Sequence, residues 1–166
     1  IAERASVAKG TVYLYFTSKK ELLTALMEDR MSRLARLIEA TMCEECGILE
    51  MIEGIIKAHF LFYHEEKEFI TILYGQLGQI AEGMEGPAKR GSEALTDMGS
   101  GVMKHGVETG LLQPVCVQTL AQALQGMIHA VAFDWVVKCS SAPPETLAKE
   151  VYELFCWGAV ASSQRV

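Results

Sequence analysis

The chain has 166 residues, half of them apolar and 22% charged, with a formal net charge of −6. That length fits one ordinary domain, or a small module joined to a larger one, and the composition excludes a disordered chain. Five cysteines (Cys43, Cys46, Cys116, Cys139 and Cys156) form an odd, dispersed set, which argues against a secreted disulfide scaffold and for a reducing, cytoplasmic setting.

Charge is unevenly spread. Residues 1–20 carry Arg4, Lys9, Lys19 and Lys20 against Glu3 alone, whereas the remainder carries 11 basic and 20 acidic side chains. Such asymmetry predicts an acidic partner for the basic end. No signal peptide is visible, and the chain starts at Ile1 without a Met, as a chain with a removed or missing N-terminal segment would.

"IAERAS" reads as the end of a short helix and "VAKGTVYLYF" as a second one, which together form a helix-turn-helix unit. A helix that reads DNA places short polar or planar side chains at its N-terminal end, against base edges and phosphates. Lys9, Thr11, Tyr13 and Tyr15 supply such groups, and Gly10 allows close backbone approach. Val12 and Phe16, four apart, are expected to face inward onto Ile1, Ala5 and Val7. Lys19 and Lys20 then open the next helix, where lysines and free N–H groups together bind a phosphate. An amphipathic surface segment with merely solvated lysines has the same spacing.

A long helix follows. Ser18 and Glu21 form a capping box, and Leu22, Leu23, Leu26, Met27, Met31, Leu34, Leu37 and Ile38 repeat with a period near 3.6. Cys43 to Gly47 reads as a break. Further helices are predicted over about 48–66, 68–82, 87–109, 115–138 and 145–162. Gly83 and Gly86-Pro87 separate the third from the fourth, Gly110 stops the fourth, and "SSAPPE" is a turn before the last. No stretch alternates with period two, so the fold class is all-α.

Cys43 and Cys46 have C-x-x-C spacing, but a structural zinc site needs four ligands and no second pair exists. They read as two cysteines near a helix end, with redox sensing as the lesser alternative, and neither a metal nor a cofactor is expected. Residues 109–133 lack Asp, Glu, Lys and Arg and are long enough to cross a bilayer. Pro114 interrupts them, and Gln118, Gln122, Gln125 and His129 make one polar stripe at spacings of 4, 3 and 4, so a buried helix beside a pocket or interface is the better reading and no membrane partner is expected. No G-x-S-x-G, P-loop or H-E-x-x-H pattern marks an enzyme.

His59, Tyr63, Tyr74, Gln122, Gln125 and His129 are polar groups on otherwise apolar helices. Buried polar groups need partners, and a bound small molecule is one candidate; bonds to each other, to water or across an interface are the alternatives. Eight methionines suit an adaptable cavity. On the closing helices, Leu120, Leu124, Ile128 and Val131, with Leu147, Val151, Leu154 and Phe155, are expected to make a homodimer interface over about residues 115–162, or else to pack within the monomer.

"IAERASVAKGTVYLYFTSKKELL" closely resembles the DNA-binding signature of the tetracycline-repressor (TetR) family: isoleucine-alanine, a small turn residue, lysine-glycine-threonine, an aliphatic residue, tyrosine, an aromatic, then F-x-S-K-x-x-L. The resemblance covers about residues 1–23 directly. It implies that Lys9, Thr11, Tyr13 and Tyr15 contact bases or phosphates of an operator duplex, that Gly10 allows close approach, and that Lys19 holds a phosphate. Leu14, often aromatic in the family, would meet a thymine methyl. It further implies a ligand-responsive repressor: a truncated helix-turn-helix module over 1–24, its first helix absent, and a helical ligand-binding and dimerisation domain over 25–166. A helical small-molecule-binding protein without DNA activity is the alternative.

Overall fold

The computed structural model describes the backbone of residues 11, 14–43, 45–138 and 140–161, and the side chains of these except 73–90 and 92. Five helices are delimited: α1 (Lys19–Glu39), α2 (Ile48–Glu65), α3 (Lys67–Glu108), α4 (Val117–Val137) and α5 (Pro144–Ala159). Among the described residues there is no strand, only an isolated antiparallel bridge between Leu112 and Val160. The all-α expectation holds.

The start of α1 follows its sequence signal, with one change. The Ser18 hydroxyl accepts from the Glu21 N–H at 3.1 Å, as a capping serine should. The Glu21 carboxylate reaches one residue further back than expected, accepting from both the N–H and the hydroxyl of Thr17 at 2.6 Å. Those bonds, chiefly the hydroxyl's, hold Glu21 below the usual carboxylate range. Leu23, Met27, Leu34 and Ile38 then form the buried stripe of α1.

The predicted break at Gly83 and Gly86-Pro87 is absent, because α3 runs unbroken from Lys67 to Glu108. A proline inside a helix removes one hydrogen bond and costs about 3 kcal/mol, and each glycine about 1. Packing at both ends offsets this: Ile70 before the glycines, and Leu95, Val102 and Met103 after them, all enter the same core. Tertiary burial, rather than propensity, sets most helix limits in proteins.

α2 is the central helix. Ile52, Ile55, Ile56, Phe60 and Phe62 are almost wholly buried, and α2 touches α1, α3, α4 and α5. Gly110 ends α3 as expected, with φ of +73°, a conformation glycine adopts without strain. The chain then folds back tightly enough that a Cβ on Gly106 would lie 2.6 Å from the Leu112 side chain. This loop is tied to the end of α5. Gln113 donates from its backbone to Ala159 O and from its side chain to Gly158 O, both at 2.7 Å, and Ala161 donates to Leu111 O at 3.0 Å.

Two further sequence expectations, on the cysteines and on the interface, need correction. Cys43 and Cys46 are joined by a disulfide across the α1–α2 turn, not left as two separate cysteines. α4 is long and apolar enough to span a membrane by length and composition, yet its Leu120, Leu124 and Ile128 face the bundle core. That burial also removes most of the predicted interface, since Val151 and Phe155 of α5 are inside the subunit too. Among the described residues, the exposed large apolar groups of α4 and α5 are Val137 on α4 and Leu154 (64%) and Trp157 (76%) on α5.

Candidate functional site

Two regions carry chemistry. The first is the basic end. Thr11, Leu14 and Tyr15 are helical, and Leu14 and Tyr15 are 83% and 75% exposed. Phe16 is half-buried, while Lys19 and Lys20 stand exposed in the first turn of α1. This part of the chain therefore shows water two large side chains and two cations beside a helix N-terminus. Arg4, Lys9, Gly10 and Tyr13, together with the inward contacts expected of Ile1, Ala5, Val7 and Val12, lie outside the described residues.

α1 is fastened to the rest of the protein by ion pairs. Glu66, at the α2–α3 junction, is buried, with its side chain only 9% exposed. Arg33 grips it through Nη1 and grips Glu65 through Nη2. Arg30 Nε lies 2.9 Å from the other Glu66 oxygen, at ion-pair distance but without hydrogen-bond alignment. One carboxylate thus holds two arginines of α1, four residues' worth of charge meeting where α2 turns into α3 once Glu65 is included.

The second region is a cavity of about 20 Å³ among α2, α3 and α4. Ile55 and His59 line it from α2, Thr96 and Met103 from α3, and Leu124 and Gln125 from α4. His59 is 3% exposed, and its Nδ1 lies 2.8 Å from Ile55 O. Burial, reinforced by nearby His129 and only partly offset by the bond to Ile55, pushes the His59 pKa down to about 4. The ring is therefore neutral at pH 7. Because a carbonyl only accepts, Nδ1 carries the proton and Nε2 keeps a lone pair.

Thr96 donates its hydroxyl proton to Gln125 Oε1 at 3.1 Å. That leaves two buried polar atoms of the cavity's lining residues without a protein partner, His59 Nε2 and Gln125 Nε2; Ser100 Oγ, one helical turn beyond Thr96 and outside the lining, also lacks one. Native interiors leave few such atoms, so their gathering in one place singles the cavity out. Of the sequence-predicted set, His59 and Gln125 line this cavity. Tyr63 and His129 adjoin it as an edge-to-face pair with centroids 6.1 Å apart, and burial lowers the His129 pKa. Gln122 is exposed and belongs to the outer face of α4, and the Tyr74 side chain lies outside the described residues.

Thr96 and Ser100 were not anticipated. Their spacing of four on α3, beside Leu95 and Met103, was the available signal. A larger groove of about 350 Å³ lies among α1, α2 and α5, lined by Leu37, Thr41, Phe60 and Ala148. It holds none of the unpartnered polar atoms, and its one lysine, Lys57, pairs with Glu53 at 2.7 Å. No group of three or more His, Cys, Asp or Glu placed to hold a metal exists among the described residues.

Comparison with known proteins bears on both regions. Residues 1–26 match the family described as bacterial regulatory proteins, tetR family. The fatty acid metabolism regulator protein of Bacillus subtilis strain 168 is 23% identical over 159 residues, which are 95% of this chain and 82% of that protein. Among solved structures, the fatty acid degradation regulator FadR of Bacillus halodurans superposes with a TM-score of 0.83 at 24% identity, covering 93% of this chain and 80% of that one. FadR of Bacillus subtilis, solved in complex with stearoyl-CoA, gives 0.81 at 22% identity, covering 93% and 83%. The signature at the basic end and the helical fold behind it agree: residues 1–26 match the tetR family of bacterial regulatory proteins, and the chain shares the fold of the two FadR structures.

Proposed function

We propose that the chain is a cytoplasmic repressor, without enzymatic activity, that leaves its operator when a long-chain fatty acyl thioester enters the helical domain. Residues 1–24 belong to the DNA-binding module, and residues 25–166 bind ligand and dimerise. The observation that carries this reading is α1: it begins at exposed Lys19, and at mid-length its Arg30 and Arg33 are clamped to Glu66 at the junction of α2 and α3, two of the three helices that line the polar cavity. Entry of a ligand among α2, α3 and α4 moves that junction, and the Glu66 ion pairs transmit the movement to the basic end. The thioester is taken from the relative solved with stearoyl-CoA. His59, Tyr63, Tyr74, Gln125 and His129 are the polar groups on its path, and Gln122 is reassigned to the dimer face.

The decisive experiment is fluorescence anisotropy of the full chain on duplexes it selects from a random library, with and without palmitoyl-CoA. A coupling of about 5- to 150-fold weaker DNA binding is expected with ligand present. A chain that selects no duplex but binds the thioester would establish the alternative, a ligand-binding protein without DNA activity.

In this reading Lys9, Gly10, Thr11, Tyr13, Leu14, Tyr15 and Lys19 meet the operator. Lys19→Ala should weaken all duplexes similarly and flatten the slope of log K against log salt by about 1 per subunit. Tyr13→Phe removes a hydroxyl but no charge, so it should change that slope less. An unaltered slope in the lysine variant, with its circular dichroism intact, would leave Lys19 as a merely solvated side chain.

Two recognition helices about 34 Å apart require a two-fold dimer. The exposed face of α4 offers Gln122, Gly126, Ala130 and Val137, and that of α5 offers Leu154 and Trp157. Small residues with a large aromatic anchor suit helix-on-helix docking. Trp157→Glu is expected to give a monomer at micromolar concentration by analytical ultracentrifugation where the parent chain is a dimer. A monomeric parent would sink the assignment.

A further inference from the structure

We infer that the cavity recognises a single neutral group able to donate and to accept a hydrogen bond, a hydroxyl above all, with His59 Nε2 taking its proton and the Gln125 amide donating to its oxygen. This rests on the reading of the helical domain as the site of an acyl ligand, and it specifies what that ligand carries.

The Nδ1 proton of His59 is committed to Ile55 O at 2.8 Å, so Nε2 offers only a lone pair. The Gln125 oxygen is committed to the Thr96 hydroxyl, so its NH₂ group offers only protons. Both free atoms are buried and lack a protein partner. A plain carbonyl satisfies Gln125 but sets an acceptor against His59. A carboxylate or phosphate does the same and brings a charge as well, and no Lys or Arg lines the cavity. Burying an unpaired charge is far costlier than burying a paired hydroxyl. The low pKa of His59 removes the remaining source of positive charge.

Size narrows the choice further. About 20 Å³ is the room one water needs. A hydroxyl replaces a water one for one, whereas an amide brings two polar atoms and needs the helices to part further. On an acyl-CoA this chemistry is carried by a hydroxyl on the acyl chain or by the hydroxyl and amides of the pantetheine arm.

Binding is tested by titration calorimetry with palmitoyl-CoA, 3-hydroxypalmitoyl-CoA, 16-hydroxypalmitoyl-CoA and palmitic acid, on the parent chain, His59→Leu and Gln125→Leu. Thermal melts confirm that both variants are folded. The expected result is that one hydroxylated thioester binds about tenfold or more tightly than palmitoyl-CoA, and that either substitution erases the difference. If a hydroxyl or amide of the pantetheine arm is the group instead, hydroxylation of the acyl chain changes nothing, yet both substitutions weaken palmitoyl-CoA by a similar factor. Equal binding of all three thioesters, unaltered in both folded variants, overturns the inference and leaves the acyl-ligand reading standing. Binding of none overturns both.

Discussion

Acidification from pH 7 to pH 4.5 should cost the folded chain roughly 2 kcal/mol through His59 alone. The unfolded imidazole titrates near 6.5 and the buried one near 4. Between those values the unfolded chain holds the extra proton, so stability is fully present above about pH 6.5 and is lost as pH falls toward 4. Complete titration would remove roughly 3 kcal/mol. His129 adds to this in the same direction. Urea melts of the parent chain and His59→Leu at pH 7, 5.5 and 4.5 separate this effect from the carboxylates, which titrate alike in both. The leucine variant should be the more stable at pH 7, because it deletes a buried unpaired nitrogen, and its advantage should widen as pH falls. Parallel pH curves would show that His59 reaches solvent.

The Glu66 clamp should show an asymmetry. Arg30→Ala with Arg33→Ala strands a buried carboxylate, a change that costs about 3–5 kcal/mol. Glu66→Ala strands two arginines whose side chains are 31% and 36% exposed. These turn toward water, so the loss should be nearer 2 kcal/mol, within the range for an unmade charged bond at a part-exposed site. The ordering is the test. A double arginine variant as stable as Glu66→Ala, by urea midpoint, would mean that Glu66 is hydrated in the folded protein. Either substitution should also uncouple ligand from DNA, since both cut the link between α1 and the α2–α3 junction.

How much of this was legible depends on which property each residue reports. Ser18, Gly110 and the apolar stripe of α1 act through local geometry, and the structure follows them closely. Gly83 and Pro87 also speak locally, but burial of Ile70 and Met103 outvotes them. The polar stripe of α4 shows the limit of periodicity. Gln122, Gln125 and His129 share one side of the helix, yet that side borders the core face, so Gln125 and His129 are half-buried while Gln122 stays in water. Apolar Leu120 and Ile128 likewise could serve a subunit core or an interface, and nothing in their spacing decides between the two. Trp157 is the informative residue for the proposed dimer, because its exposure, visible only in the folded chain, breaks the pattern. The unpartnered atoms of His59 and Gln125 were beyond sequence altogether, since a hydrogen bond that is not made leaves no mark on composition.

The ties from Gln113 to Gly158 and Ala159 carry a consequence for mass action. They fix the end of α3, which lines the cavity, to the last turn of α5, beside Leu154 and Trp157. Any shift of α3 on ligand entry would thus be felt at the surface proposed above for dimerisation. Two equilibria that share a moving part cannot be independent, and the factor by which one alters the other must be the same read in either direction. If the chain dimerises as proposed, the apparent ligand affinity should therefore drift with total protein concentration, and with one site per subunit the dimer's dissociation constant should move by the square of the per-site factor when ligand saturates the chain.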